Sequence, residues 1–346
     1  MGRALRMWHQ LDYFKRHYQT VIRHLTPKKI ANILFNTYEM EKKKVILKSR
    51  PPFLKVEPTA LCQLHCPGCP WHQEASPREF STSGNLSYDK FVKLIDPIRD
   101  TTVEISFSLR GDAFMNRDIF DMISYCRKYN IGSEIPTNFS YKFNDETLER
   151  IIDCGLDHII IAVDGTTQEV YEQYRKGGHL DWVLDNARRL IELKRKKHSK
   201  TPLVECKFIS FVHNEHQFEE AKKLSESMGF DRFSTVLDHF HPKRKAEFEN
   251  TIRKSDKKKK SCYWVYRTSV ICWDGQVCPC CNDRFNLGNA VEDGFLNVWN
   301  NEHYRAMRTM FITGEPVEEQ GKVCIGCRTF WATFTHESEK EPVATA

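Results

Sequence analysis

Three observations in the chain predict an α/β fold: strand-like and helix-like segments alternate from Phe53 to Leu237, a cysteine-rich turn directly follows the first strand, and the pattern changes after residue 240. The expected architecture is a partial (β/α)6 TIM-type barrel, preceded by helices and followed by a small domain of one β-hairpin plus helix. The implied divisions are 1–52, 53–240 and 241–346. Six βα units are too few for a closed eight-unit barrel, so the sheet is expected to stay open at one side.

Of the 346 residues, the first fifty hold twelve Lys or Arg against three acids, so the net charge of +6 is concentrated there. Leu5, Trp8, Leu11, Phe14, Tyr18, Ile22 and Leu25 recur at helical steps, Pro27 ends that run, and Ile30, Ile33, Leu34, Tyr38 and Met40 begin a second helix. Two readings stand for these helices. Either their apolar face packs on the main domain and a basic face is solvated, or they make peripheral contact with an anionic membrane or substrate carrier.

The barrel elements follow in order. Phe53–Pro58 is the first strand. Leu86–Arg99 is a helix with Ser87 as N-cap, Thr102–Leu109 a strand, Asp118–Lys128 a helix and Gly132–Thr137 a strand. Helix Asp145–Cys154, strand His158–Val163, helices Gln168–Arg175 and Leu180–Lys197, strand Leu203–Phe211, helix His216–Met228 and strand Arg232–Leu237 complete the series. A polar, basic stretch from Glu247 to Lys260 reads as a linker. Ser269–Cys272 and Gln276–Cys278 then flank Trp273, Asp274 and Gly275, a strong hairpin turn.

Cys62, Cys66 and Cys69 give the spacing CxxxCxxC, in LCQLHCPGCPW. A cubane that only carries electrons takes four thiolates, so three with no fourth nearby leave one iron open for chemistry. A partial zinc knuckle or three unrelated thiols are the bland alternatives. Ligands of such folds bind at the carboxyl ends of strands, and there lie the cysteine loop, Arg110–Ala113 (RGDA), Asn138, and Asp164 with Gly165.

A second group comprises Cys262, Cys272, Cys278, Cys280, Cys281, Cys324 and Cys327. Cys262, one cysteine of the CPCC run and the CIGC pair suffice for a [4Fe-4S] cluster or a zinc site, and spacing alone leaves iron and zinc open. Cys126, Cys154 and Cys206 read as buried small hydrophobes, and Cys272 fits that reading too.

The segment FLKVEP followed by CxxxCxxC resembles the entry to the radical SAM superfamily. The resemblance implies a [4Fe-4S] cluster on Cys62, Cys66 and Cys69 whose open iron binds S-adenosylmethionine, cleaved reductively to methionine and a 5′-deoxyadenosyl radical. It further implies cofactor contacts at Gly111 and Asp112, which stand in a GGEP-like turn, and at Asn138, Asp164 and Arg175, the last facing the cofactor carboxylate. VDGTTQEVYEQYRKGG resembles the segment after strand four in the subgroup that carries a C-terminal auxiliary cluster, and the pattern from Cys262 through Gly275 to Cys280, Cys324 and Cys327 resembles the SPASM and twitch extensions. With no cysteine after Cys327, the shorter twitch form is expected, with one auxiliary [4Fe-4S] cluster on Cys262, Cys280, Cys324 and Cys327 and Cys281 as alternative to Cys280.

The implied enzyme abstracts hydrogen from a substrate C–H bond and uses the auxiliary cluster for electron transfer, with a flavodoxin- or ferredoxin-type donor. The substrate is expected to be a small or lipid-linked molecule, the alternative being peptide maturation. A non-catalytic iron–sulfur or zinc protein contacting nucleic acid is the reading from another class, but the interleaved aromatic and basic pattern of single-strand binders is missing outside the first 25 residues, and no specific nucleic acid is expected. Thirteen cysteines, several in thiolate-requiring spacings, and no apolar span or signal-type leader favour a cytoplasmic protein, with peripheral membrane contact as the open addition.

Overall fold

The computed structural model describes residues 20–67, 69, 84–238, 262–281, 285–315 and 324. Helix α1 (Pro27–Glu41) starts where the Thr26 hydroxyl accepts from the Lys29 amide and Pro27 occupies a first-turn position that needs no donor. Strand β1 (Phe53–Val56) leads to the cysteine loop. Helix α2 (Tyr88–Ile95) is capped by Ser87 as expected, but stops short of Arg99. Asp96 keeps helical dihedrals, but Pro97 has no amide N–H with which to continue the helix.

Strand β2 (Glu104–Phe107), helix α3 (Ile119–Lys128), strand β3 (Gly132–Thr137), helix α4 (Asp145–Asp153) and strand β4 (His158–Ala162) follow. Then come helices α5 (Gln168–Tyr174) and α6 (Leu180–Lys196), strand β5 (Leu203–Ser210), helix α7 (Phe218–Met228) and strand β6 (Arg232–Leu237). The C-terminal region supplies helix α8 (Tyr263–Arg267), strands β7 (Thr268–Ile271) and β8 (Val277–Cys278), and helices α9 (Phe295–Trp299) and α10 (Glu302–Thr313). The linker at 247–260, most of the first amphipathic run, Trp71, His72 and Cys327 lie outside the described residues.

The sheet order is β6-β5-β4-β3-β2-β1-β7-β8, with β1 to β6 parallel throughout and, among the described residues, no closure between the ends. This is the open partial barrel. The hairpin does not form a separate layer: β7 pairs in parallel with β1, Phe53 opposite Thr268 and Val56 opposite Ile271, and β8 returns antiparallel. The sequence beyond residue 240 therefore seals the edge that β1 would otherwise expose.

The sheet has two chemically distinct faces. Leu54, Val56, Ile105, Phe107, Ile135, Ile159, Ile161 and Val204 pack with helix residues such as Phe91, Met122, Leu148 and Leu190 in one continuous core. On the opposite face a polar ladder crosses five strands. Ser106 donates to Glu134 (3.1 Å), His158 sits between Glu134 (3.3 Å) and Glu205 (3.1 Å), and Ser234 donates to Glu205.

Helix α1 departs from the expectation that its apolar side packs inward. Its buried residues are Lys29, Asn36 and Glu39, while Ile30, Leu34, Phe35 and Tyr38 are exposed. The inversion has a hydrogen-bonding cause. Lys29 reaches the Asn130 carbonyl, Asn36 donates to Ser49 Oγ (2.9 Å) and to the Tyr266 carbonyl (2.7 Å), and Glu39 accepts from the amides of Lys48 and Ser49. Buried backbone groups with no secondary-structure partner are satisfied by these side chains, so the polar stripe faces in. Among the described residues no helix is long and apolar enough to cross a membrane.

Candidate functional site

The cysteine loop is tied down at its base. Thr59 forms an antiparallel bridge with Asn85, and Asn116 donates to the carbonyls of both Pro58 (2.6 Å) and Leu86 (2.8 Å). The segment that enters it also contacts the turn after β2, where the Gly111 amide donates to Thr59 O (3.2 Å) and the Asp112 amide to Leu61 O (2.9 Å). A Cβ on Gly111 would lie 2.4 Å from Leu61 O and 2.5 Å from Thr59 O, so only glycine lets the two loops approach this closely.

Asp112 is buried, and its carboxylate accepts from Thr137 Oγ1 (2.9 Å), the Asn138 amide (2.8 Å), Asn138 Nδ2 (2.7 Å) and the Phe114 amide (3.2 Å). Burial raises its pKa, against the pull of these donors. The acid thus fixes the end of β3, and with it Asn138, beside the cysteine loop. Gln63, which the sequence reading passed over, completes the join: its amide donates to Asn138 Oδ1 (2.9 Å) and Ser140 O (3.1 Å). Asn138 Nδ2 in turn points at Cys62 Sγ (3.8 Å).

Arg175 and Asp164 form the other half. Arg175 Nε donates to Asp164 Oδ2 (2.6 Å), and Asp164 Oδ1 accepts from the Ile209 amide (2.7 Å). The Arg175 charge pulls the Cys66 pKa down against the effect of burial, and the Lys176 carbonyl accepts from the His65 amide (3.0 Å). Although burial works against the charged form, the Asp164 carboxylate raises the Arg175 pKa above its ordinary value. The arginine is therefore a permanent cation at the cysteine loop.

A buried ion pair joins this site to the C-terminal hairpin. Glu57, wholly buried at the end of β1, takes Arg110 Nε and Nη2 on its two oxygens, each at 2.5 Å, and its Oε2 also accepts from the Trp273 amide (3.2 Å). The Trp273 indole lies flat on Gly84, where an added Cβ would fall 2.3 Å from the ring. An acid closing an apolar strand was the sequence signal for Glu57, and it was not taken up.

The donor set fits an iron–sulfur cluster. Cys62, Cys66 and Cys69 are free thiols; burial pushes Cys62 up to about 12 and raises Cys66 as well. Thiols so placed become thiolates against a bound cation; Asn138 Nδ2 is aimed at Cys62, and the Arg175 charge favours the Cys66 thiolate. Among the described residues no three thiol, imidazole or carboxylate groups converge on a single ion. A cubane, with one thiolate per iron, spreads its ligands further apart.

Of the second group, Cys262 is buried in the main core, Cys324 packs against that core, and Cys280 follows β8. Cys272 and Cys278 are buried with their sulfurs 3.7 Å apart beside Val270. Cys126, Cys154 and Cys206 are buried within the hydrophobic core.

Comparison with known proteins agrees with this geometry. Residues 56–204 match the radical SAM superfamily model, and residues 262–328 match the SPASM model, described as an iron–sulfur cluster-binding domain. The chain is 20% identical over 314 residues to the tungsten-containing aldehyde ferredoxin oxidoreductase cofactor-modifying protein of Pyrococcus furiosus, covering 75% of this chain and 83% of the relative. It is 25% identical over 145 residues to the GTP 3′,8-cyclase of Limosilactobacillus fermentum, covering 42% of this chain and 43% of that enzyme. The crystal structure of Streptococcus suis SuiB bound to S-adenosylmethionine superposes with a TM-score of 0.62 at 16% identity, over 87% of this chain and 75% of that one. The chain belongs to the radical SAM superfamily, and its C-terminal region is a SPASM-type iron–sulfur cluster-binding domain.

Proposed function

We propose that this enzyme removes a hydrogen atom from a C–H bond of a small-molecule or lipid-linked substrate and completes the oxidation or cross-link by passing a second electron to an auxiliary cluster. Membership of the superfamily makes it an enzyme that uses a [4Fe-4S] cluster, S-adenosylmethionine and an electron donor. Bound at Cys62, Cys66 and Cys69, the cluster with S-adenosylmethionine supplies a 5′-deoxyadenosyl radical.

The chain's own residues orient and insulate. Gly111 brings its backbone against the cysteine loop, Asp112 holds Asn138, and Asp164 holds Arg175, whose planar fork suits a cofactor carboxylate. Cys262, Cys280, Cys324 and Cys327 would hold the auxiliary cluster, with all four irons closed to substrate. The divisions 1–52, 53–240 and 241–346 carry these roles as basic helices, radical domain and twitch-like domain. A flavodoxin- or ferredoxin-type protein is the proposed donor.

The supporting observation is the hydrogen-bonded chain from Gln63 through Asn138 to Asp112, which lies beside Cys62 at the carboxyl ends of the strands. Two relatives named for non-peptide substrates, a cofactor and GTP, favour a small molecule over a peptide. The test is iron and sulfide content after anaerobic reconstitution, with 5′-deoxyadenosine measured under dithionite. About eight irons per chain, falling to about four with cleavage lost when Cys62, Cys66 and Cys69 become Ala, is the expected result. Cys324→Ala with Cys327→Ala should lose the other half and retain uncoupled cleavage. Full product turnover by that variant would remove the electron-acceptor role.

A further inference from the structure

The face that α1 turns to solvent is apolar and has no partner among the described residues. Ile30 (43% exposed), Leu34 (66%) and Tyr38 (50%) repeat every four residues along one side, and Phe35 (42%) stacks on Tyr38 with ring centroids 6.3 Å apart. Ile22 (48%) and Ile46 (58%) extend the exposed apolar positions beyond both ends of the helix. The opposite side is fixed inward by Lys29, Asn36 and Glu39, so the helix cannot roll to hide the stripe without orphaning buried carbonyls.

Charge around the stripe is mostly positive. The exposed charged residues between 20 and 50 are Arg23, Lys28, Lys42, Lys44 and Lys48 against Glu41 alone. Arg23 and Lys28 pair with Asp157 and Asp100, which leaves the lysines at the C-terminal end of α1 to dominate.

From this geometry we propose that α1 docks the protein on an anionic bilayer surface, its apolar stripe lying in the headgroup boundary and Lys42, Lys44 and Lys48 meeting lipid phosphates. An interfacial helix needs an apolar face flanked by cations and no great length. The half-exposed stripe offers on the order of 300 Å² of side-chain surface. A stable contact with a second copy needs about 800 Å² per partner, so the bilayer is the better occupant. The proposal is independent of the radical chemistry and is read without cluster or turnover.

Flotation of the full chain tests it, with vesicles of phosphatidylcholine alone and of phosphatidylcholine with phosphatidylglycerol. Binding is expected only with the anionic vesicles and is expected to weaken with salt. Leu34→Ser, Phe35→Ser and Tyr38→Ser together should lower binding by about tenfold or more, and Lys42→Gln or Lys44→Gln by about fivefold each. Unchanged melting temperatures would show that these exposed positions leave the fold intact. Absence of wild-type flotation at low salt, or undiminished binding by the triple serine variant, would overturn the proposal. A lipid-free dimer that the triple variant converts to monomer would assign the face to a second copy instead.

Discussion

At the scale of single residues, the site depends on close approach and on fixed charge. Gly111→Ala would drive a methyl group into Leu61 O and Thr59 O, and since both belong to the segment that delivers Cys62, the loop must shift. The expected outcome is a loss in 5′-deoxyadenosine formation on the order of 100-fold in a protein that still folds, because displacements of about 1 Å at a reacting centre cost that much. Arg175→Lys keeps the charge and loses the fork held by Asp164. Iron content should stay that of the wild type while the KM for S-adenosylmethionine rises about tenfold; a changed iron content with unchanged KM would place Arg175 in loop folding. The cysteine triplet and the strand-end position of Asp112, Asn138 and Asp164 were legible in the sequence, and Arg175 came from the family resemblance. Gln63 was not legible, and Glu57 showed only as an acid closing an apolar strand, because their roles arise from partners 75 and 53 residues away.

At the scale of elements, periodicity placed every barrel strand, yet it could not say which side of α1 would be buried. Helical spacing locates an apolar stripe; it does not know that Asn130, Ser49 and Tyr266 present groups needing Lys29 and Asn36. The same blindness hid the ladder across β2 to β6, where alternation marks the polar face and only the register brings His158 between two glutamates. Burial pulls the His158 pKa down, but the hydrogen bonds to Glu134 and Glu205 outweigh it and hold the group at about 9. A folded pKa above the unfolded value near 6.5 means that the imidazolium contributes stability fully below about pH 6.5 and loses it as pH rises through about 9, by up to about 3 kcal/mol. Chemical denaturation between those limits should show stability falling with pH in the wild type and a flatter profile in His158→Gln. Equal slopes in the two proteins would mean that the histidine is neutral in the folded state.

At the scale of the whole molecule, segments more than two hundred residues apart, β1 and β7, are built into one sheet. The composition shift after residue 240 suggested an attached domain, and the shift is real, but pairing across more than two hundred residues is invisible to local pattern. Beyond the β1–β7 register, Arg308 is wholly buried and donates to the carbonyls of Val45 (3.0 Å), Val265 (3.0 Å) and Trp299 (2.8 Å), while Trp299 Nε1 donates to Ser49 O (3.1 Å). Burial lowers the Arg308 pKa to about 10, and carbonyl oxygens, in place of a carboxylate, carry its charge. Residues 45–57 therefore depend on the C-terminal region for their hydrogen bonds as well as for their neighbouring strand. A chain ending at residue 240 would leave β1 as an open edge with Glu57 stripped of the Trp273 amide. Expressed alone, that fragment is expected to aggregate or to melt without a cooperative transition, where the full chain gives a single one. Size-exclusion chromatography with calorimetry decides the matter: a soluble, monomeric fragment with its own sharp transition would make the barrel an independent domain, and the shared sheet would then serve only to hold the second cysteine group in reach of the first.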